Sequence, residues 1–213
     1  MATDEEMPFS DLEGTLKKAG AALRAAEVPY LLGGSLASWA RGGPETRHDL
    51  DLMVKPEDAQ RALDALIATG MRAEDPPEEW LTKAWDGDVL VDLIFYPKGT
   101  EVDDALIERG ELMSVLGMEM RVMALEDVLV TKLMALSEHS LRYESLLAIS
   151  RACREQVDWD DVRSRTTESP WARAFFVMLE GLGVLPGARQ TTGGHEPRVR
   201  VLTPRGSAAA NVG

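Results

Sequence analysis

LLGGS at residues 31–35, followed by DLDL at residues 49–52, is the part of the sequence that decides the fold. An apolar run that ends in two glycines and a serine predicts a short strand, a tight turn and the start of a helix. On the next predicted strand Asp49 and Asp51 share one face, because successive strand side chains point to opposite faces. Two neighbouring carboxylates repel each other unless a cation lies between them. The pattern therefore indicates a cation site on this face.

The turn formed by Gly33, Gly34 and Ser35 is a candidate phosphate-binding site. It places free backbone N–H groups at the N-terminus of the predicted helix, which suits a phosphate. A carboxylate pair beside a phosphate site indicates chemistry on a metal–nucleotide complex. Two plainer interpretations stay open: Ser35 only caps its helix, and the aspartates are solvated strand or turn residues.

The composition is ordinary for a globular protein, with 45% hydrophobic and 28% charged residues in a chain of 213. This length suits one large domain or two small ones. Because the sequence has no apolar run of about 18 residues and its first residues are acidic, we expect no membrane span, no secretory signal and a cytoplasmic location. Cys153 is the single cysteine, which excludes an internal disulfide bond and favours a packed, unreactive thiol.

The net charge of −13 limits the partners of the protein. Proteins that hold nucleic acid through many phosphates usually have a basic surface, so broad, non-specific nucleic-acid binding is unfavourable here. The charge still permits a local basic groove, and it permits a nucleotide that arrives with magnesium.

Apolar periodicity and turn residues divide the chain into short elements. A hairpin is expected around Asp86-Gly87, a second one around Gly117, and a loop or weak edge strand over 71–77. Helices are predicted over about 10–27, 35–41, 56–69, 125–137, 142–155, 158–165 and 170–182. Strands are predicted over 30–32, 50–54, 80–85, 89–96, 112–115 and 119–123.

The pattern of elements changes near residue 124, where mixed strands and helices give way to helices alone. We therefore predict an α+β fold with a mixed β-sheet and flanking helices over 1–123, followed by a C-terminal helical lobe over 124–185. Residues 186–213 lack apolar periodicity and are expected to be a disordered tail.

The first part of this arrangement resembles the DNA polymerase β-like nucleotidyltransferase superfamily. Members carry a glycine-rich turn with a serine at the start of a helix, then Asp-x-Asp on the next strand and a third carboxylate on a neighbouring strand. Here these elements are Gly33–Ser35, Asp49-Leu50-Asp51 and Asp92, and the fit covers roughly residues 28–96.

The helical part extends the resemblance to about residues 10–182. Leu125–Asp127, which lead to Lys132, are similar to the corresponding part of the minimal nucleotidyltransferases. They are also similar to the toxin-type (AbiEii-like) nucleotidyltransferases of toxin–antitoxin pairs. The resemblance implies the fold named above, with its mixed sheet as the catalytic lobe.

The resemblance also implies an activity and a set of ligands. A magnesium-dependent enzyme of this kind transfers a nucleoside monophosphate from an NTP such as ATP to an acceptor hydroxyl and releases pyrophosphate. Two Mg²⁺ ions are expected on Asp49, Asp51 and Asp92, since magnesium prefers carboxylates together with substrate phosphates. Phosphates are expected on the glycine–serine turn, and Lys132 is expected on the triphosphate.

Three residues keep alternative roles. Asp92 lies within the apolar run Val89–Phe95, where an unpaired carboxylate is costly, so its partner is a metal or a nearby lysine or arginine. Lys132 is a triphosphate ligand or a surface lysine whose stem packs on apolar neighbours. Arg47 neutralises phosphate or pyrophosphate, or is a plain surface arginine.

The acceptor is left open by the sequence. An antibiotic-like small molecule such as an aminoglycoside or lincosamide, a tRNA or other RNA end, and a protein side chain are the alternatives. The acidic charge slightly favours a small or cationic acceptor over RNA. A different class of function is a non-catalytic nucleotide-binding module, or a protein paired with an antitoxin. The presence of all three aspartates argues against a non-catalytic site.

Overall fold

A computed structural model describes residues 9–46 and 49–186 of the chain. Arg47 and all but the first residue of the predicted tail over 186–213 lie outside these ranges. The strands are β1 (Tyr30–Leu32), β2 (Leu50–Val54), β3 (Arg72–Glu74), β4 (Leu81–Asp86), β5 (Val89–Ile94), β6 (Glu111–Val115) and β7 (Met118–Val122). The α-helices are α1 (Phe9–Ala25), α2 (Gly34–Ala40), α3 (Ala59–Ala68), α4 (Asp104–Arg109), α5 (Leu125–Met134), α6 (Tyr143–Cys153), α7 (Trp159–Arg165) and α8 (Pro170–Gly181).

The strands form one mixed sheet in the order β3-β4-β5-β2-β1-β7-β6. β2 runs parallel to β5, β1 runs parallel to β7, and the remaining neighbours are antiparallel. Helices α1 and α3 pack against β5, and α2 lies between β2 and α5. The α+β fold predicted from the sequence is confirmed. Its central strands β1 and β2 have the predicted bounds.

Three details differ from the sequence-based expectations. The two-residue turn of the first hairpin is Gly87-Asp88, with Asp86 paired to Val89, so the expected turn at Asp86-Gly87 is wrong by one residue. Helix α4 was not predicted, because its six residues are too few to show a helical period. The helix expected over 56–69 begins with a 3-10 turn, Pro56–Asp58.

Two hydrophobic clusters form the core of the described residues. The larger cluster surrounds the sheet and ends along the chain at Val128, whereas the smaller cluster begins at Leu129 and unites α5 with α6, α7 and α8. These clusters support the division near residue 124 into two lobes, which remains our proposal, although α5 contributes to both. No helix in residues 9–46 and 49–186 is long and apolar enough to cross a membrane.

A buried carboxylate links helix α5 to helices α4 and α7. Asp127, at the start of α5, is 1% exposed and accepts hydrogen bonds from Arg109 of α4 and Arg165 of α7. The shortest contact, from Arg165 Nη2 to Asp127 Oδ1, is 2.5 Å. Two guanidinium groups compensate the cost of burying this charge, so Asp127 has a structural role.

Candidate active site

The turn between β1 and α2 presses against the carboxylate of Asp51. Gly34 has φ +57°, and a β-carbon placed on it would lie 1.6 Å from Asp51 Oδ2. No side chain fits there, and the left-handed backbone also favours glycine. The Gly33 N–H donates to the Asp51 carbonyl oxygen at 2.9 Å, which fixes the turn on β2. The double glycine thus lets the start of α2 contact an aspartate directly.

Ser35 connects Asp51 to a lysine from the helical part. Its backbone N–H donates to the Asp51 carboxylate, and its hydroxyl accepts a hydrogen bond from Lys132 Nζ at 3.1 Å. One of the N–H groups at the start of α2 is therefore occupied by a carboxylate. Lys132 is mostly buried on α5, and this burial lowers the pKa of its ammonium. The Lys132 side chain turns inward, toward the aspartates.

Asp92 stands beside Asp51 on the neighbouring parallel strand. The two residues are direct partners in the β2–β5 register, so their side chains share a face of the sheet. Oδ1 of Asp92 is buried and has no hydrogen-bond partner among the described residues. Burial raises the pKa of the Asp92 carboxyl to about 7, and the charge of Asp51 adds to the rise. Without a cation, this position disfavours the carboxylate form.

The pKa of Asp51 responds to the same surroundings. Burial raises it to about 6, Lys132 opposes the rise, Asp49 adds to it, and the Ser35 N–H opposes it. Asp49 itself is exposed and directly precedes β2. On the opposite side of the strand, Leu50 and Leu52 are fully buried, as the alternating pattern predicts.

The nearest lysine to Asp92 along the sheet is Lys83, a residue that the sequence analysis did not single out. Lys83 is the β4 partner of Asp92 in the hairpin register, and its charge opposes the rise in the Asp92 pKa. Its Nζ lies 4.0 Å from Oε2 of Glu78, another buried oxygen without a hydrogen bond in the described structure. The hairpin turn was the available signal, because a turn at Gly87-Asp88 pairs Lys83 with Asp92.

The donor set is suited to magnesium that arrives with phosphates. Asp51 and Asp92 offer two adjacent carboxylates, and the described residues supply no hydrogen bond to the buried Oδ1 of Asp92. No group of three or more His, Cys, Asp or Glu in the described ranges is placed to hold a metal ion by side chains alone. Magnesium commonly binds one or two carboxylates and completes its octahedron with water and substrate phosphates. The residues present fit that mode of binding.

Three cavities meet at Lys132. The largest, about 520 Å³, is bordered by Ser35 and Arg142, and a smaller one of about 230 Å³ by Arg142 and Ser140. The third, about 350 Å³, contains Asp51 and the partly exposed Trp80. Lys132 thus lies between a mostly apolar recess that Asp51 borders and two recesses that Arg142 borders.

The structure brings together the predicted residues Gly34, Ser35, Asp51, Asp92 and Lys132. Gly33 packs closely on Met53, and a β-carbon on Gly33 would lie 2.6 Å from Cε of Met53. The predicted residue Arg47 lies outside the described part of the chain.

Sequence and fold comparisons agree on one class of protein. Residues 11–182 match the profile of a family described as uncharacterised nucleotidyltransferases. A search of curated protein sequences found no match. The solution structure of the antibiotic-resistance factor ANT(2'')-Ia is similar in fold, with a TM-score of 0.57 and 19% identity over 82% of this chain and 97% of that one.

A second solved structure gives the same similarity. It is the crystal structure of ANT(2'')-Ia in complex with adenylyl-2''-tobramycin. The TM-score is 0.55, with 17% identity over 78% of this chain and 98% of that one. At these identities the likeness concerns the fold, and it agrees with the mixed sheet and helical part described above.

Proposed function

Because the chain belongs to this family of nucleotidyltransferases, we propose that it transfers a nucleoside monophosphate from an NTP to an acceptor hydroxyl. The acceptor oxygen forms a bond to the α-phosphorus, the bond from that phosphorus to the bridging oxygen breaks, and pyrophosphate leaves. The hydroxyl proton passes to a carboxylate and then to solvent.

One observation carries this proposal: Asp51 and Asp92 lie side by side on β2 and β5, and an oxygen of Asp92 is buried with no hydrogen-bond partner among the described residues. Asp51 and Asp92 would hold Mg²⁺ together with the triphosphate, and Asp49, which is exposed just before β2, would join them when the metal–nucleotide complex binds. The magnesium would neutralise charge on the phosphates and lower the pKa of the acceptor hydroxyl.

The chain's own residues would divide the remaining work. Gly34 and Ser35 would hold the phosphates against α2, and Lys132 would supply a positive charge beside them. Asp92 would take the acceptor proton, because its buried Oδ1 has no hydrogen-bond donor among the described residues and is free to accept one. Such a site accelerates transfer by positioning the reactants and stabilising charge.

The acceptor is proposed as a small molecule with hydroxyl groups. The net charge of −13 favours a neutral or cationic acceptor over RNA. The structural neighbour ANT(2'')-Ia is described with an adenylylated tobramycin, which makes an aminoglycoside a useful first compound to try. A tRNA, a protein side chain and an antitoxin partner remain alternatives for the same test.

The test is incubation of the protein with each labelled NTP, Mg²⁺ and separate pools of aminoglycosides, lincosamides, tRNA and proteins. We expect label transfer and pyrophosphate release with one pool, and we expect Asp51→Asn to abolish both. Asp88→Asn is the control, because Asp88 is exposed in the turn between β4 and β5. NTP binding without pyrophosphate release with any pool would instead support a non-catalytic binding module.

A further inference from the structure

Arg142 is a charged residue of the site that the proposed function has not used. It is exposed, directly precedes α6 and borders both recesses on the α6 side of Lys132. Its position in sequence, after the end of α5, gave no indication that it faces the glycine–serine turn. The residues that line these two recesses with it indicate what kind of ligand it meets.

Two positive charges face the same space here. The charge of Arg142 lowers the pKa of the Lys132 ammonium, so the two groups repel each other across the recess. Among the residues that the structure describes, no carboxylate lies within 4.0 Å of either charged group. Asp51 balances part of the Lys132 charge from the other side, and an anion placed between Lys132 and Arg142 would reverse the cost of bringing these two like charges together.

The smaller recess has the donors that a phosphate requires. Its polar lining consists of Lys132, Arg142, Ser140 and Ser145, and its remaining residues are apolar. No carboxylate is among its lining residues in the described structure. The larger recess continues from there to Ser35 and also has Glu45 and Glu144 on its walls. The smaller one is therefore the more favourable place for an anion.

The order of the residues in the site suggests which anion binds in the smaller recess. Asp51, Ser35 and Lys132 follow one another through direct contacts, and Arg142 borders cavities with Ser35 and Lys132 that Asp51 does not line. We infer that Arg142 binds the terminal phosphates of the NTP, so that it recognises the triphosphate and holds the departing pyrophosphate. This inference rests on the proposed nucleotidyl transfer and adds a residue and a direction to it.

Arginine suits this role because its planar guanidinium donates paired hydrogen bonds to phosphate oxygens. A residue that contacts only the terminal phosphates affects NTP and pyrophosphate but not NMP. It therefore has a signature different from that of Asp51, which would act at the metal.

The experiment measures affinities for Mg²⁺ complexes of ATP, tripolyphosphate and AMP by calorimetry, in the wild type, Arg142→Gln and Arg142→Lys. We expect Arg142→Gln to weaken binding of ATP and tripolyphosphate about tenfold, with partial rescue by lysine and with AMP unaffected. In turnover, the same variant should raise the KM for NTP and weaken product inhibition by pyrophosphate. Arg151→Gln is the control, because Arg151 is exposed on the same helix and borders none of the three cavities.

Two results would overturn the inference. Unchanged affinity of Arg142→Gln for ATP and tripolyphosphate is one. The other is a higher KM for the acceptor alone, which would place Arg142 on the acceptor. If ATP binding still depends on Asp51 in either case, the proposed function stands and only the role of Arg142 fails. If the wild type binds no NTP at all, the proposed function fails first.

Discussion

Gly34 and Asp51 approach each other so closely that no side chain fits at position 34. A β-carbon on Gly34 would meet Asp51 Oδ2 at 1.6 Å, whereas a β-carbon on Gly87, which has a similar φ of +61°, would meet nothing within 4 Å. A substitution at Gly87 therefore tests backbone strain alone, whereas a substitution at Gly34 also displaces the Asp51 carboxylate.

We expect Gly34→Ala to abolish nucleotidyl transfer, because the new methyl group must push the Asp51 carboxylate from its place. Gly87→Ala should cost about 1–2 kcal/mol of stability from the left-handed backbone and retain full activity. Chemical denaturation and pyrophosphate release measure the two effects. An active Gly34→Ala protein would mean that the position of Asp51 is unimportant for transfer.

Asp51 and Asp92 are expected to differ in their effects on substrate binding. Asp51 contacts the start of α2 and lies near Lys132, so Asp51→Ala should reduce Mg–NTP affinity together with activity. Asp92→Ala should abolish transfer while weakening NTP binding less, because Asp92 is assigned to the acceptor side. Calorimetry and single-turnover assays check this split. An equal loss of NTP affinity in both variants would contradict it.

The metal-free protein should lose stability as the pH rises. The pKa of Asp92 is raised to about 7, against about 3.9 for an unfolded aspartate. Between these values the folded state binds more protons than the unfolded state, so the free energy of unfolding falls as the pH increases. Asp51, with a pKa of about 6, adds to the slope up to that pH.

Urea denaturation in the presence of a chelator measures this effect. At pH 8 we expect Asp92→Asn to be more stable than the wild type, and near pH 4 we expect the difference to be smaller. A stability difference that does not vary between these pH values would show that Asp92 is not the group responsible.

Replacement of Asp127 should lower the stability of the fold without changing the affinity of the folded protein for NTP. Asp127→Asn leaves Arg109 and Arg165 facing a neutral amide in a buried position. We expect a loss of about 3 kcal/mol, near the lower end for breaking a buried ion pair because Arg109 is half exposed. Thermal denaturation measures the loss. Residual folded protein at low temperature should keep its NTP affinity.

The elements that the sequence predicted well are those with a local signal. The strands β1 and β2 follow from buried apolar runs, and the fully buried Leu50 and Leu52 confirm the alternation that placed Asp51 on the other face. Helix α4 has a capping aspartate, Asp103, and a glycine after its end, which were signals for a helix. Its short length left no period to support them.

The rest of the site depends on pairing between distant segments. The parallel β2–β5 register, which sets Asp51 beside Asp92, is a property of the whole sheet. The neighbour of Asp92 on the other side depends on the hairpin turn, because moving that turn by one residue moves the β4 partner of Asp92 by two residues. Arg142 reaches the site through the packing of α6 on α5, for which no local pattern exists.

The negative and positive charges of the site are held by different parts of the hydrophobic core. The aspartates belong to strands that pack in the larger hydrophobic cluster. Lys132 belongs to α5, and the residue after it, Leu133, packs in the smaller cluster. We therefore expect replacements of the aromatic residues Phe175 and Phe176 of α8 to shift the position of Lys132 relative to the aspartates, without altering any residue that meets the nucleotide.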